Sequence, residues 1–98
     1  MQYHGQPVTP VTVRVVPGTT SAAALFSSKL YCLWALLVPD PNNASGTDFL
    51  MDYLATPISN APMSLPPLPT GGFYDLAKIR VKAGGVLDAV LVTYLPPL

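Results

Sequence analysis

Hydrophobic and polar residues alternate most regularly over residues 75–95, DLAKIRVKAGGVLDAVLVTYL. Ala77, Ile79, Val81 and Ala83 fall on one side of an extended chain and Lys78, Arg80 and Lys82 on the other, the period of two that a half-buried strand requires. Further on, Leu87, Ala89, Leu91, Thr93 and Leu95 oppose Val86, Asp88, Val90, Val92 and Tyr94, so both sides are largely apolar. The pattern predicts two β-strands joined as a hairpin across Gly84-Gly85. Its second arm needs cover on two sides, from the subunit itself or from a partner.

The same reading places a first strand over residues 9–16, with Val11, Val13 and Val15 on one face, stopped by the turn pair Pro17-Gly18. Residues 21–26, small and apolar, fit a short strand or a helical turn, and the strand is the favoured reading. Residues 30–38 (LYCLWALLV) read as a central strand apolar on both faces, with Trp34 and Cys32 expected in the core. A cluster of turn formers, Pro39-Asp40-Pro41-Asn42-Asn43-Ala44-Ser45-Gly46, follows as a surface loop, and residues 47–54 return as a strand, fitting a hairpin with a long connection. Residues 55–72 hold five of the twelve prolines and no charge. Proline cannot donate to a sheet ladder, so this segment is expected to run over the surface as extended chain, with Ile58, Met63, Leu65 and Leu68 packing onto something. Residues 1–10 (MQYHGQPVTP) are expected to form an extended N-terminal arm. The fold class is therefore all-β: one small antiparallel β-sandwich over residues 11–98, jelly-roll-like or immunoglobulin-like, with an arm and a proline-rich surface loop.

Composition adds an oligomer to this picture. Half of the 98 residues are hydrophobic, only ten are charged and none is glutamate, and the mean hydropathy is +0.41. That is more apolar surface than a small monomer covers, and it points to contact with another protein. Five basic residues balance five acidic ones, so no net field attracts nucleic acid or anionic lipid. The longest apolar run is about half of a membrane span, and residues 1–10 lack the basic start of a signal peptide. A soluble product made in the cytoplasm is expected, with no nucleic acid and no membrane among its partners.

Candidate chemistry is sparse. His4 is the only histidine and Cys32 the only cysteine, so a nucleophile with an adjacent base, an intrachain disulfide or a structural zinc site has no residues to build it. The five aspartates, Asp40, Asp48, Asp52, Asp75 and Asp88, fall at turns or on polar strand faces, where solvated carboxylates are the expected reading rather than a glycosidase pair. Asp40, Asn42, Asn43, Ser45 and Asp48 form an oxygen-rich loop, but Ala44 and the absence of glutamate break the order of a calcium loop, and an Asx-type turn is expected. Lys78, Arg80 and Lys82 form a stripe too short for a phosphate-contacting surface. Trp34, Tyr31 and Tyr53 would suit a sugar platform only if Trp34 were exposed. No enzyme, no cofactor and no metal site is expected.

The order of features resembles the short β-rich virion proteins of tailed bacteriophages. The carrying pieces are Pro17-Gly18-Thr19, Ala22 to Phe26 with Ser27-Ser28, Leu30-Tyr31-Cys32 opening a strand that runs to Pro39-Asp40-Pro41-Asn42-Asn43, then Asp75-Leu76, Ile79-Arg80-Val81, Gly84-Gly85 and Val92-Thr93-Tyr94-Leu95. The proline-rich 55–72 and the long N-terminal arm depart from that pattern. The resemblance implies a capsid decoration or cement protein: a β-sandwich on the capsid surface of a virion, bound to the lattice of the major capsid protein and commonly trimeric. On this reading Val86, Val90, Val92 and Tyr94 form the self-contact, while Tyr3 and Val8 of the arm and Ile58, Met63, Leu65 and Leu68 of the loop grip neighbouring subunits. The alternatives are a neck, tail or fibre-base component, or a carbohydrate-binding module.

Overall fold

The structure, a computed structural model, describes residues 9–43, 46–51, 58–59 and 61–97. Among these, ten strands follow in chain order: β1 (Val11–Val15), β2 (Ala23–Ala24), β3 (Tyr31–Cys32), β4 (Trp34–Pro39), β5 (Thr47–Met51), β6 (Ile58–Ser59), β7 (Met63–Leu65), β8 (Tyr74–Asp75), β9 (Ile79–Ala83) and β10 (Val90–Leu95), with one 3-10 turn, Leu76–Lys78, between β8 and β9. Every pairing is antiparallel, and the pairings nest: β1 with β10, β2 with β9, β3 with β8, β4 with β7 and β5 with β6. The chain is thus a long two-stranded ribbon doubled back between β5 and β6. Rolling that ribbon lets β10 also pair with β4 and β9 with β5. Two four-stranded sheets result, sheet A in the order β1-β10-β4-β7 and sheet B in the order β2-β9-β5-β6, with β3-β8 as a short bridge. This is jelly-roll connectivity, not the ABED/CFG order of an immunoglobulin-like sandwich.

The core lies between the sheets. Leu37, Met63, Val90 and Val92 from sheet A meet Phe49, Ile79 and Val81 from sheet B, closed at one end by Cys32, Leu76 and Tyr74. The alternation expected for β9 is present, with Ile79, Val81 and Ala83 buried and Arg80 and Lys82 exposed. Sheet A shows the same device as transverse rows: Val13, Val92, Leu37 and Met63 share one row facing inward, and Thr12, Thr93, Leu36 and Ser64 share the next row. Thr12 and Thr93 join their hydroxyls across that row at 3.0 Å.

Several expectations are corrected. The 75–95 hairpin does not form: β9 belongs to sheet B and β10 to sheet A, and residues 84–89 carry the chain across the sandwich. β10 finds its partners in β1 and β4 and β9 finds its own in β2 and β5, so the two arms join different layers. β4 and β5 are no hairpin either, since they too lie in different sheets. Residues 30–38 are not one strand, because the ribbon changes sheets at Leu33, whose N–H donates to the Leu95 carbonyl at 2.8 Å. Residues 76–78 form the 3-10 turn and not the start of a strand, capped by the carboxylate of Asp75 in β8, which accepts the Ala77 N–H at 3.0 Å and the Leu30 N–H at 3.1 Å. The proline-rich 55–72 is not a bare surface loop. It supplies β6 and β7, both at sheet edges, with Pro62 just before β7 and Pro66 just after it, where a missing N–H breaks no ladder. The Tyr74 hydroxyl then donates to the Pro66 carbonyl at 2.6 Å and ties the segment to the bridge.

Candidate interaction surface

Because β10 and β4 are neighbours in sheet A while β9 and β5 are neighbours in sheet B, the two crossings β4–β5 and β9–β10 lie side by side at one end of the sandwich. Their contact is a hydrogen-bonded lock. The Asp40 N–H donates to the Ala89 carbonyl at 3.0 Å. The Asn43 side-chain amide donates to the same carbonyl at 2.9 Å and accepts the Ala89 N–H at 2.8 Å. It also donates to the hydroxyl of buried Thr47 at 3.3 Å. Asp40 closes an Asx turn by accepting the Asn42 N–H at 2.9 Å, and its other oxygen accepts from Arg14 Nε at 3.0 Å. Those two partners, the Asn42 N–H first and the Arg14 guanidinium second, hold the Asp40 carboxyl below its ordinary range. Asp40 and Asn43 of the oxygen-rich loop are therefore committed to joining the two crossings, Ser45 lies outside the described residues, and among the described residues no group of three or more histidine, cysteine, aspartate or glutamate side chains gathers.

Cys32 is fully buried at the foot of β3. Burial pushes its thiol up to about 11, and the Asp75 carboxylate adds to the rise. Thiolate is the reactive form, so at pH 8 the native protein is expected to resist an aromatic disulfide reagent and to react with one equivalent once unfolded in guanidinium. Prompt labelling of the native protein would contradict this burial.

The outer faces of the two sheets differ. Sheet B presents Arg80 and Lys82, with Asp48 directly across from Lys82 in the register. Sheet A presents Trp34, Leu36 and Val38 from β4 and Leu91, Thr93 and Leu95 from β10, none of them in the buried class, with Leu36 40% exposed. Its one charged side chain from a strand, Arg14, is held by Asp40. A groove of about 460 Å³ opens on this face, lined by Trp34, Ala35, Leu36, Ser64, Leu65, Pro66 and Pro67. Trp34 is thus not a core residue: β4 puts Ala35 and Leu37 inward, and a neighbour one position away must face out.

The proposed contact residues divide accordingly. Val90 and Val92 are 0% exposed, and Met63 and Leu65 are also in the core, so none is available to a partner. Tyr94 and Leu68 are partly buried and pack on that core. Val90 and Val92 therefore have no surface for the self-contact assigned to them, and the side of β10 that is not buried carries Leu91, Thr93 and Leu95. Val86 remains on the surface at 55% exposure beside Leu87 at 81%. Both lie in the 84–89 crossing, at the end of sheet A where β1 runs out into exposed Val16. Tyr31 and Phe73 are also exposed, on the bridge. Tyr3, Val8, His4, Asp52 and Tyr53 lie outside the described residues, and of Ile58 only the backbone, in β6, is described.

Among the described residues no helix is long and apolar enough to cross a membrane. Comparison with protein-family models, curated proteins and solved structures finds no match to this chain.

Proposed function

We propose that this chain is a non-enzymatic structural subunit of a virion, a capsid decoration or cement protein of a tailed bacteriophage that associates with itself, as a homotrimer, and binds the lattice of the major capsid protein. The observation that carries the reading is the contrast between the sandwich's outer faces: sheet A gathers Trp34, Leu36, Val38, Leu91 and Leu95 around the hydroxyls of Thr12, Thr93 and Ser64, with Arg14 paired to Asp40 as its one charge, while sheet B presents Arg80 and Lys82. Apolar side chains gathered on one sheet face suit a protein contact. Two further features support it. Jelly rolls recur among capsid domains, an argument by analogy of fold. The segments expected to grip a lattice also enter at one end: Pro10 precedes β1 where Val11 meets Tyr94, and Pro66 follows β7 where Leu65 meets Ala35. Extended proline-bearing chain loses little entropy on docking, which suits a clamp spread over neighbouring subunits.

A sugar platform is less well served. Trp34 reaches the surface, but its groove offers Ser64 as the sole side-chain hydroxyl among apolar residues and prolines, and sugar recognition needs several placed polar groups.

The test is co-sedimentation of the purified protein with expanded empty shells assembled from the major capsid protein of the same genome, with the unassembled shell protein as control. Saturable binding to shells alone is expected. No binding to shells, or equal binding to the free subunit, would remove the reading.

A further inference from the structure

By count the chain is neutral, with five cations against five aspartates, but folding treats the two sets unequally. Asp40, Asp75 and Asp88 are buried, while Lys29, Lys78, Arg80 and Lys82 are exposed. The described surface is therefore more basic than the composition. The fifth cation, Arg14, lies on sheet A and is held by Asp40, and the other four lie along one ribbon.

Strand pairing brings those four together. β2 pairs with β9, setting Ala24 across from Arg80, and the ladder continues where the Leu25 N–H donates to the Ile79 carbonyl at 2.9 Å. It resumes where the Leu76 N–H donates to the Leu30 carbonyl at 2.8 Å and runs on as β3 with β8. Residues 26–29 thus lie across from residues 77–78, so Lys29 falls in the same short gap as Lys78. Arg80 and Lys82 follow along β9, about 6.6 Å apart, with Asp48 across from Lys82 as the carboxylate facing that row. The same pairing adds aromatic rings. Tyr31 is set across from Asp75, which makes Phe73 its diagonal neighbour, about 7 Å away. Both rings are in water, Tyr31 at 45% and Phe73 at 54% exposure. Along the chain the stripe is three cations; in the fold it is four cations with two exposed rings at one end.

We infer that the solvent side of this ribbon binds single-stranded nucleic acid, with phosphates against Lys29, Lys78, Arg80 and Lys82 and unpaired bases on the rings of Tyr31 and Phe73. Charge and rings together select this ligand. An acidic peptide pairs with the cations but leaves two exposed rings unused, whereas every base has a face to stack. In a duplex those faces are already stacked on one another, so only a single strand uses both parts. The inference goes beyond the proposed function and does not rest on it.

Fluorescence anisotropy of a labelled oligothymidine, titrated with the protein at several salt concentrations, is the experiment. Saturable binding is expected at low salt, with log K falling against log salt at a slope near −3, about 0.7 for each of four phosphates that shed counterions. Lys78→Ala and Arg80→Ala should each flatten that slope by about 0.7. Tyr31→Ala and Phe73→Ala should weaken binding about tenfold and leave the slope unchanged, because stacking releases no counterions. Tyr31→Phe, which keeps the ring, should bind as the parent does. These side chains are exposed, so far-UV circular dichroism should stay as in the parent, and Lys29→Ala, outside every strand, gives the slope readout should another variant fail to fold. Absence of binding at low salt overturns the inference. So does binding that the aromatic variants leave intact, or for which oligoaspartate or a duplex competes equally well. Shell binding without oligothymidine binding removes this inference and keeps the proposed function; oligothymidine binding without shell binding does the reverse.

Discussion

Val92→Lys is expected to unfold the subunit rather than dissociate an assembly. Val92 is 0% exposed in the middle of β10, paired with Val13 on one side and Leu37 on the other and packed in the core between the sheets. A lysine there must leave its ammonium in an apolar interior or give up its proton. Buried lysines titrate about 4 to 5 units low, so at neutral pH the buried amine has given up its proton, at a cost of roughly 4 to 5 kcal/mol set by the distance from pH 7 to the unfolded value near 10.4. A domain of this length is held by about 5 to 15 kcal/mol in total. Thermal denaturation followed by circular dichroism should show a lost or strongly lowered transition. Val92→Ala, which removes two methyl groups and opens a small cavity, should lose about 2 kcal/mol and stay folded. A Val92→Lys protein with the parent's melting curve and a smaller mass would mean that this side of β10 is an interface after all.

Asn43→Ala is expected to have the next largest effect, because one amide holds both main-chain groups of Ala89. Ala89 is buried, and Asn43 is its partner for the N–H at 2.8 Å and a shared partner for the carbonyl at 2.9 Å. Alanine strands the N–H in a place water does not reach, and an orphaned buried donor costs about 1 to 3 kcal/mol beyond the lost bonds. The total, about 2 to 3 kcal/mol, corresponds to a fall of roughly 10 to 20 °C in Tm for a domain of this size. Asn43→Asp keeps the acceptor but loses the donor to Ala89 and Thr47, so it should lie between parent and alanine. Urea titrations at several pH values probe the rest of the lock. Since the Asp40 carboxyl is held below its ordinary range, its contribution is present above the unfolded value near 3.9 and disappears as pH falls through the folded one. The parent should therefore lose stability at acid pH more steeply than Asp40→Asn, which has no proton to take up. Equal slopes would show that Asp40 does not stabilise the corner.

The β class, the positions of β1, β5 and β9 and the inward residues of β9 were legible along the chain, because alternation in a half-buried strand is local: Ile79, Val81 and Ala83 against Arg80 and Lys82 need no knowledge of the partner strand. The turn at Pro17-Gly18 is equally local, with Gly18 at a φ of 77° that other residues adopt at a cost. Strand pairing was not legible. Gly84-Gly85 looks the same whether the chain reverses within a sheet or crosses to another, and the choice rests on contacts made by β1, β4, β2 and β5, up to some eighty residues away. The Asn43–Ala89 lock shares that origin: a turn-forming asparagine announces a turn, not the backbone 46 positions on that it will hold.

For the surface, composition alone said that apolar residues exceed what one small core covers. Which of them are left outside was decided by register. β4 and β10 read as apolar on both faces, and nothing in Trp34, Leu36, Leu91 and Leu95 as residues separates them from Leu37, Val90 and Val92. Only the packing of sheet A on sheet B, which places the second set over Phe49 and Val81, turns the first set to the outside. The chain by itself determined that it would be β and that it had hydrophobic surface to spare. The tertiary structure decided where that surface lies, because the two sides of a strand become different only when a second layer covers one of them.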